Sequence, residues 1–127
     1  MTENQIAKIV VDSAYAVHTK LDPGLLESVY EIAMDYEIKK RGLQVVRQAV
    51  ISLVYDELHF DEGFRADLIV EGKVIVELKS LEQMSRVHKK QLLTYLRLTD
   101  KKLGLLINFG AEYIRDGTHR VVNGLEE

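Results

Sequence analysis

A chain of 127 residues, 46% hydrophobic and 29% charged, fits one domain spanning residues 1–127, large enough to bury roughly two-thirds of its unfolded surface without staples. No apolar run nears the roughly 20 residues of a bilayer span, and the first five residues lack the basic start and apolar core of a signal peptide, so no membrane association and a cytoplasmic location are expected. The absence of cysteine excludes disulfides, thiolate metal sites and cysteine nucleophiles, while the formal charge of −3 conceals a polarity, net −5 over residues 1–38 and net +5 over residues 79–102.

Thr2, Glu3, Asn4 and Gln5 read as a capping box at a helix start. Ile6, Ile9, Val10, Ala14 and Val17 recur at helical spacing and predict one buried stripe to about Lys20. Asp22-Pro23-Gly24 then breaks the chain direction, and a second helix is predicted from about Gly24 to Arg41, with Leu26, Val29, Tyr30 and Ala33 on its apolar face and Gly42 beyond its end. Lys39, Lys40 and Arg41 suit its negative pole. No helical stripe suggests an exposed dimer seam.

Val45 to Tyr55 predicts a strand, Asp56-Glu57 its turn, and Leu58 to Phe60 a short return strand. Phe64 to Val70 and Val74 to Lys79 form a hairpin about Glu71-Gly72-Lys73. A third helix, capped by Ser85, carries Val87, Gln91, Leu92, Tyr95 and Leu98 toward Thr99. The apolar run Leu103 to Phe109 suits a central strand reached by a crossover, and Ile114 with Arg120 to Val122 predicts a short edge hairpin. The order ααββββαβ, plus that hairpin, implies an α/β fold in which helices flank a mixed central sheet.

Strand alternation places Glu77 and Lys79 on one face, with Leu78 turned into the core. Asp67 can stand directly opposite Glu77 only if pairing is centred on Gly72, which requires an odd-numbered loop or a bulge; the two carboxylates would then meet at a spacing a hard divalent cation can bridge. A surface ion pair between Glu77 and Lys79 explains the same residue types, although Val74, Ile75, Val76 and Leu78 mark a buried strand in which charges need partners. On the residues alone the two readings stand level.

Asp67, nine residues, then Glu77-Leu78-Lys79 resembles the D…ExK core of the PD-(D/E)XK nucleases, and so implies a restriction-endonuclease-like core. Gly24, Glu27 and Tyr30 match the GxxExxY signature of a small bacterial family in that superfamily, and Gln91 and Tyr95 match the QxxxY element of its RecB-like branch. The resemblance continues through Gly104 to Gly110 and Arg120 to Asn123, with Ala66 standing where the conventional Pro-Asp pair has proline. It implies Mg²⁺ as cofactor, with Mn²⁺ able to substitute, held by Asp67, Glu77 and the Leu78 carbonyl, with Glu27 reaching the metal shell through water. Lys79 would orient the attacking water, and Gln91 and Tyr95 would hold substrate phosphate or brace Lys79. Glu27 otherwise reads as a first-turn acid favoured by the helix dipole, and Tyr95 as core packing.

Arg86, Lys89 and Lys90 could add backbone contacts to nucleic acid, while His88 reads as a solvated helix residue and His18, His59 and His119 show no metal-ligand spacing. The first functional reading is a metal-dependent nuclease acting on nucleic acid, with DNA the expected substrate. The second is a catalytically silent module that binds nucleic acid or assembles with protein. Pairing into a homodimer would extend the reach of so small a core on duplex DNA.

Overall fold

The computed structural model describes residues 1–126, beginning with helix α1 (Glu3–Leu21). Its capping box forms as expected: the Thr2 hydroxyl accepts from the Gln5 N–H at 3.2 Å, and Gln5 Oε1 accepts from the Thr2 N–H at 2.9 Å. Ile6, Val10, Ala14 and Val17 are buried.

Helix α2 (Glu27–Lys40) starts three residues later than the sequence suggested. The Tyr30 hydroxyl holds the preceding loop, accepting the Leu25 N–H at 3.1 Å and donating to the Asp22 carbonyl at 2.6 Å. The buried face is Tyr30, Met34 and Ile38, whereas Leu26, Val29, Ile32 and Tyr36 are exposed. Of the four residues expected to share a face, Tyr30 is therefore buried while Leu26 and Val29 are not. Apolar residues occur on both sides of α2, so periodicity cannot choose between them; the sheet takes the row spaced by four, Tyr30, Met34 and Ile38.

Strand β1 (Val45–Tyr55) pairs antiparallel with β2 (Leu58–Val70), which is one continuous strand rather than the two expected. Asp61-Glu62-Gly63 reads as a breaker, yet the ladder absorbs it as a bulge: pairing shifts from Ile51↔Phe64 to Leu53↔Phe60. A tight turn joins β2 to β3 (Val74–Lys79), with left-handed Glu71 and Gly72 and a 3.0 Å bond from the Lys73 N–H to the Val70 carbonyl. The ladder pairs Val70↔Val74, Ile69↔Ile75 and Leu68↔Val76, so Lys73 is the extra residue that makes the loop odd and centres it on Gly72.

Helix α3 (Arg86–Thr99) connects β3 to its parallel neighbour β4 (Leu103–Asn108), whose six residues are all buried. One helical turn, α4 (Ile114–Gly117), precedes β5 (Thr118–Val122), which closes the sheet order β1-β2-β3-β4-β5. The expected terminal hairpin is thus a single edge strand, because Asp116-Gly117 ends a helical turn in which the Thr118 hydroxyl bonds the Ile114 carbonyl. The observed order is ααβββαβαβ.

Helices α1 and α2 cover one sheet face, over Leu68, Val70, Val76, Leu78, Leu105 and Ile107. Helix α3 covers the other through Leu92 and Leu96, against Ile69, Ile75 and Leu106. Val87 and Leu98, carried by the same helix, are exposed. Among the described residues no helix is long and apolar enough to cross a membrane.

Candidate active site

The odd loop puts Asp67 and Glu77 opposite each other, one step beyond the last paired residues, Leu68↔Val76. There the backbone ladder gives way to a side chain: Asp67 Oδ2 accepts the Leu78 N–H at 2.8 Å. In an extended strand a residue's N–H and C=O point the same way, so the Leu78 carbonyl also faces the Asp67 side.

Glu77 is 6% exposed, and its Oε1 is buried without a hydrogen-bond partner. Burial, followed by the charge of the adjacent Asp67, pushes its carboxyl up to about 9, against a smaller opposing pull from Lys79. The two acids therefore meet on one face, with an ammonium group close enough to act on them. In the protein alone Glu77 holds its proton at neutral pH.

Two helices close on this pair. From α2, buried Glu31 accepts from Arg47 Nε at 3.2 Å and Nη2 at 3.0 Å, and also from the Gln48 amide nitrogen. The same nitrogen lies 3.4 Å from Asp67 Oδ1. Arg47 reaches α2, whereas Ala49 and Ile51 pack with the cluster under α3, although strict alternation would keep all three on one face. The strand turns over at Gln48, whose φ is +49°.

From α3, Tyr95 stacks on Phe64 with centroids 3.9 Å apart and rings within 10° of parallel. Burial and then the charges of Glu77 and Asp67 raise the Tyr95 hydroxyl above its ordinary range, so it stays a proton donor beside the acids. Gln91 is exposed one turn earlier. His88 caps the helix, its Nδ1 accepting the Ser85 N–H at 3.3 Å.

The chain leaving Lys79 is clamped by Asn108. Its Oδ1 accepts the Leu81 N–H at 2.9 Å and the Gly110 N–H at 3.0 Å, while its Nδ2 donates to the Leu81 carbonyl at 2.9 Å. Gly110 lies so close that a Cβ there would stand 2.2 Å from the Leu81 carbonyl oxygen. The Ser80 hydroxyl donates to the Leu25 carbonyl at 2.7 Å, and Phe109 stacks on Tyr30 at 4.5 Å, so the loop before α2 is tied to the end of β3.

A family model described as PD-(D/E)XK nuclease superfamily matches residues 4–121. The chain belongs to the PD-(D/E)XK nuclease superfamily. No curated protein and no solved structure matches it.

The residues that carry the PD-(D/E)XK resemblance, Asp67, Glu77 and Lys79, are brought together at the open end of the β2–β3 ladder, and Tyr95 joins them from α3. Glu27 is exposed in the first turn of α2, one turn before Glu31. Among the described residues no three His, Cys, Asp or Glu side chains gather as a metal-ligand cluster, so the structure does not bring Glu27 in as a third carboxylate. The donor set nevertheless fits the divalent cation that PD-(D/E)XK nucleases use: two carboxylates, one with an orphaned buried oxygen, beside a main-chain carbonyl. Sequence reasoning missed Glu31, Gln48, Phe64 and Asn108. Only Asn108, a polar residue ending an apolar run, carries a signal that could have been read.

Proposed function

We propose that this chain is a metal-dependent phosphodiesterase that hydrolyses nucleic acid, DNA in the first instance, using Mg²⁺ or Mn²⁺. The observation that carries the proposal is the Glu77 carboxyl, which interacts with Asp67 and Lys79 while its Oε1 is buried without a hydrogen-bond partner, a cost that a bound cation would remove. Asp67, Glu77 and the Leu78 carbonyl are the assigned ligands, with Glu27 acting through water. The cation would polarise the scissile phosphate, acidify a water and offset developing charge. Lys79 holds and orients the attacking water and supplies a second fixed positive charge. Tyr95 and Gln91 hold phosphate oxygens, and exposed Arg86, Lys89 and Lys90 on α3 meet the flanking backbone.

The Gly24, Glu27, Tyr30 and Gln91, Tyr95 spacings support placing the chain in the GxxExxY family and the RecB-like branch. Residues 1–127 act as one domain in this reading. The test pairs Mn²⁺ calorimetry with cleavage of labelled DNA and RNA. Wild-type protein should bind Mn²⁺ and cut DNA, Asp67→Ala should lose both, and Lys79→Ala should bind but cut at least about 100-fold more slowly. Mn²⁺ binding without cleavage of either polymer would instead leave the silent nucleic-acid-binding module standing.

A further inference from the structure

Gln48 is an anomaly of the fold. It sits inside β1, bracketed by the pairs Arg47↔Leu68 and Ala49↔Ala66 and so directly opposite Asp67, yet its backbone is left-handed at φ +49°. Only glycine takes that conformation freely, and a strand interior gives no reason to choose it. What the conformation achieves is visible in the side chain. One amide nitrogen, with two hydrogens, stands between two carboxylates, Glu31 Oε1 on the α2 side and Asp67 Oδ1 3.4 Å away. Glu31 is itself buried and anchored by Arg47 through Nε and Nη2.

We infer that Gln48 is the positioning residue of the metal centre: strained main chain and bifunctional amide together fix the rotation of the Asp67 carboxylate, with α2 as the anchor. Asp67 has two oxygens to orient. The Leu78 N–H takes Oδ2, and Gln48 takes Oδ1, so the carboxylate plane is held from both strands that flank β2. Without Gln48 the second oxygen is free to swing, and the ligand geometry needed by a cation must be assembled at each binding event. Gln48 touches no reacting atom. The inference rests on the metal-site reading above.

Two substitutions separate this role from a merely structural one. Gln48→Ala and Gln48→Gly both delete the amide, but glycine relieves the left-handed backbone while alanine retains it. The metal-free Gly variant should therefore melt above the Ala variant, while Mn²⁺ affinity measured by calorimetry falls about 10-fold in both. A loss of affinity in only one variant, or in neither, would overturn the inference while leaving the metal site intact. Wild-type protein that takes up no Mn²⁺ would overturn the metal site itself and this assignment with it.

Discussion

Glu77 illustrates how a residue can oppose the stability of its own fold. Its carboxyl holds a proton up to about 9, above the ordinary value of 4.5, so between those limits the folded chain keeps a proton that the unfolded chain releases. Stability from this group is fully present below about pH 4.5 and falls as pH rises toward 9. Glu77→Gln removes the titration: in thermal melts without metal the variant should gain on wild type across that window, by at least a few °C at pH 8. A gap that does not widen with pH would contradict the assignment. The same proton must leave when a cation arrives, so Mn²⁺ uptake at pH 7 should release about one proton, read by calorimetry in buffers of different ionisation enthalpy. Tyr95→Phe keeps the stack on Phe64 and removes only the hydroxyl, so turnover should drop with the melting temperature within about 2 °C of wild type.

The Asp67–Glu77 meeting was legible as a condition, since only a loop centred on Gly72 aligns them, and the extra Lys73 meets that condition. Glu31 and Gln48 were not legible. Burial of Glu31 depends on Arg47 arriving from 16 residues further along the chain, and a left-handed glutamine within a strand leaves no mark in the sequence.

At the scale of elements, the turn between Lys79 and α3 has little apolar material of its own and is held by Asn108. Asn108→Ala leaves the Leu81 N–H and C=O and the Gly110 N–H without their partner in a largely buried place. A loss of about 2–4 kcal/mol is expected in denaturant melts, accompanied by reduced Mn²⁺ affinity because the end of β3 is no longer fixed. An unchanged midpoint would show that water replaces the clamp. Elements themselves were readable wherever one period dominated, as in α1 and the run Leu103 to Asn108. They were misread where two patterns overlapped: α2 is apolar on both sides, and the acidic bulge at residues 61–63 imitates a chain break.

Taken as a whole, the molecule uses its sheet as a partition. Helices α1 and α2 fill one face and bring Glu31 to the first strand, while α3 covers the other and brings Tyr95, so the acids sit where a strand pair opens between the layers. The charge polarity seen along the sequence acquires a place in this arrangement. Exposed Lys89 and Lys90 lie on the helix that carries Tyr95. Reversing both, Lys89→Glu with Lys90→Glu, should weaken DNA binding at low salt and flatten the dependence of log K on log salt by roughly 1 for each phosphate no longer neutralised. An unaltered slope would place the nucleic acid elsewhere.

Everything at the larger scales depends on whether the Asp67 and Glu77 carboxylates share one cation. The direct measurement is anomalous scattering from a crystal of the wild-type protein soaked in Mn²⁺ near pH 8. The expected result is a single strong peak about 2.0–2.4 Å from a carboxylate oxygen of each residue, including Glu77 Oε1. A fully soaked crystal with no peak between the two acids, or with Mn²⁺ bound only elsewhere, would contradict it.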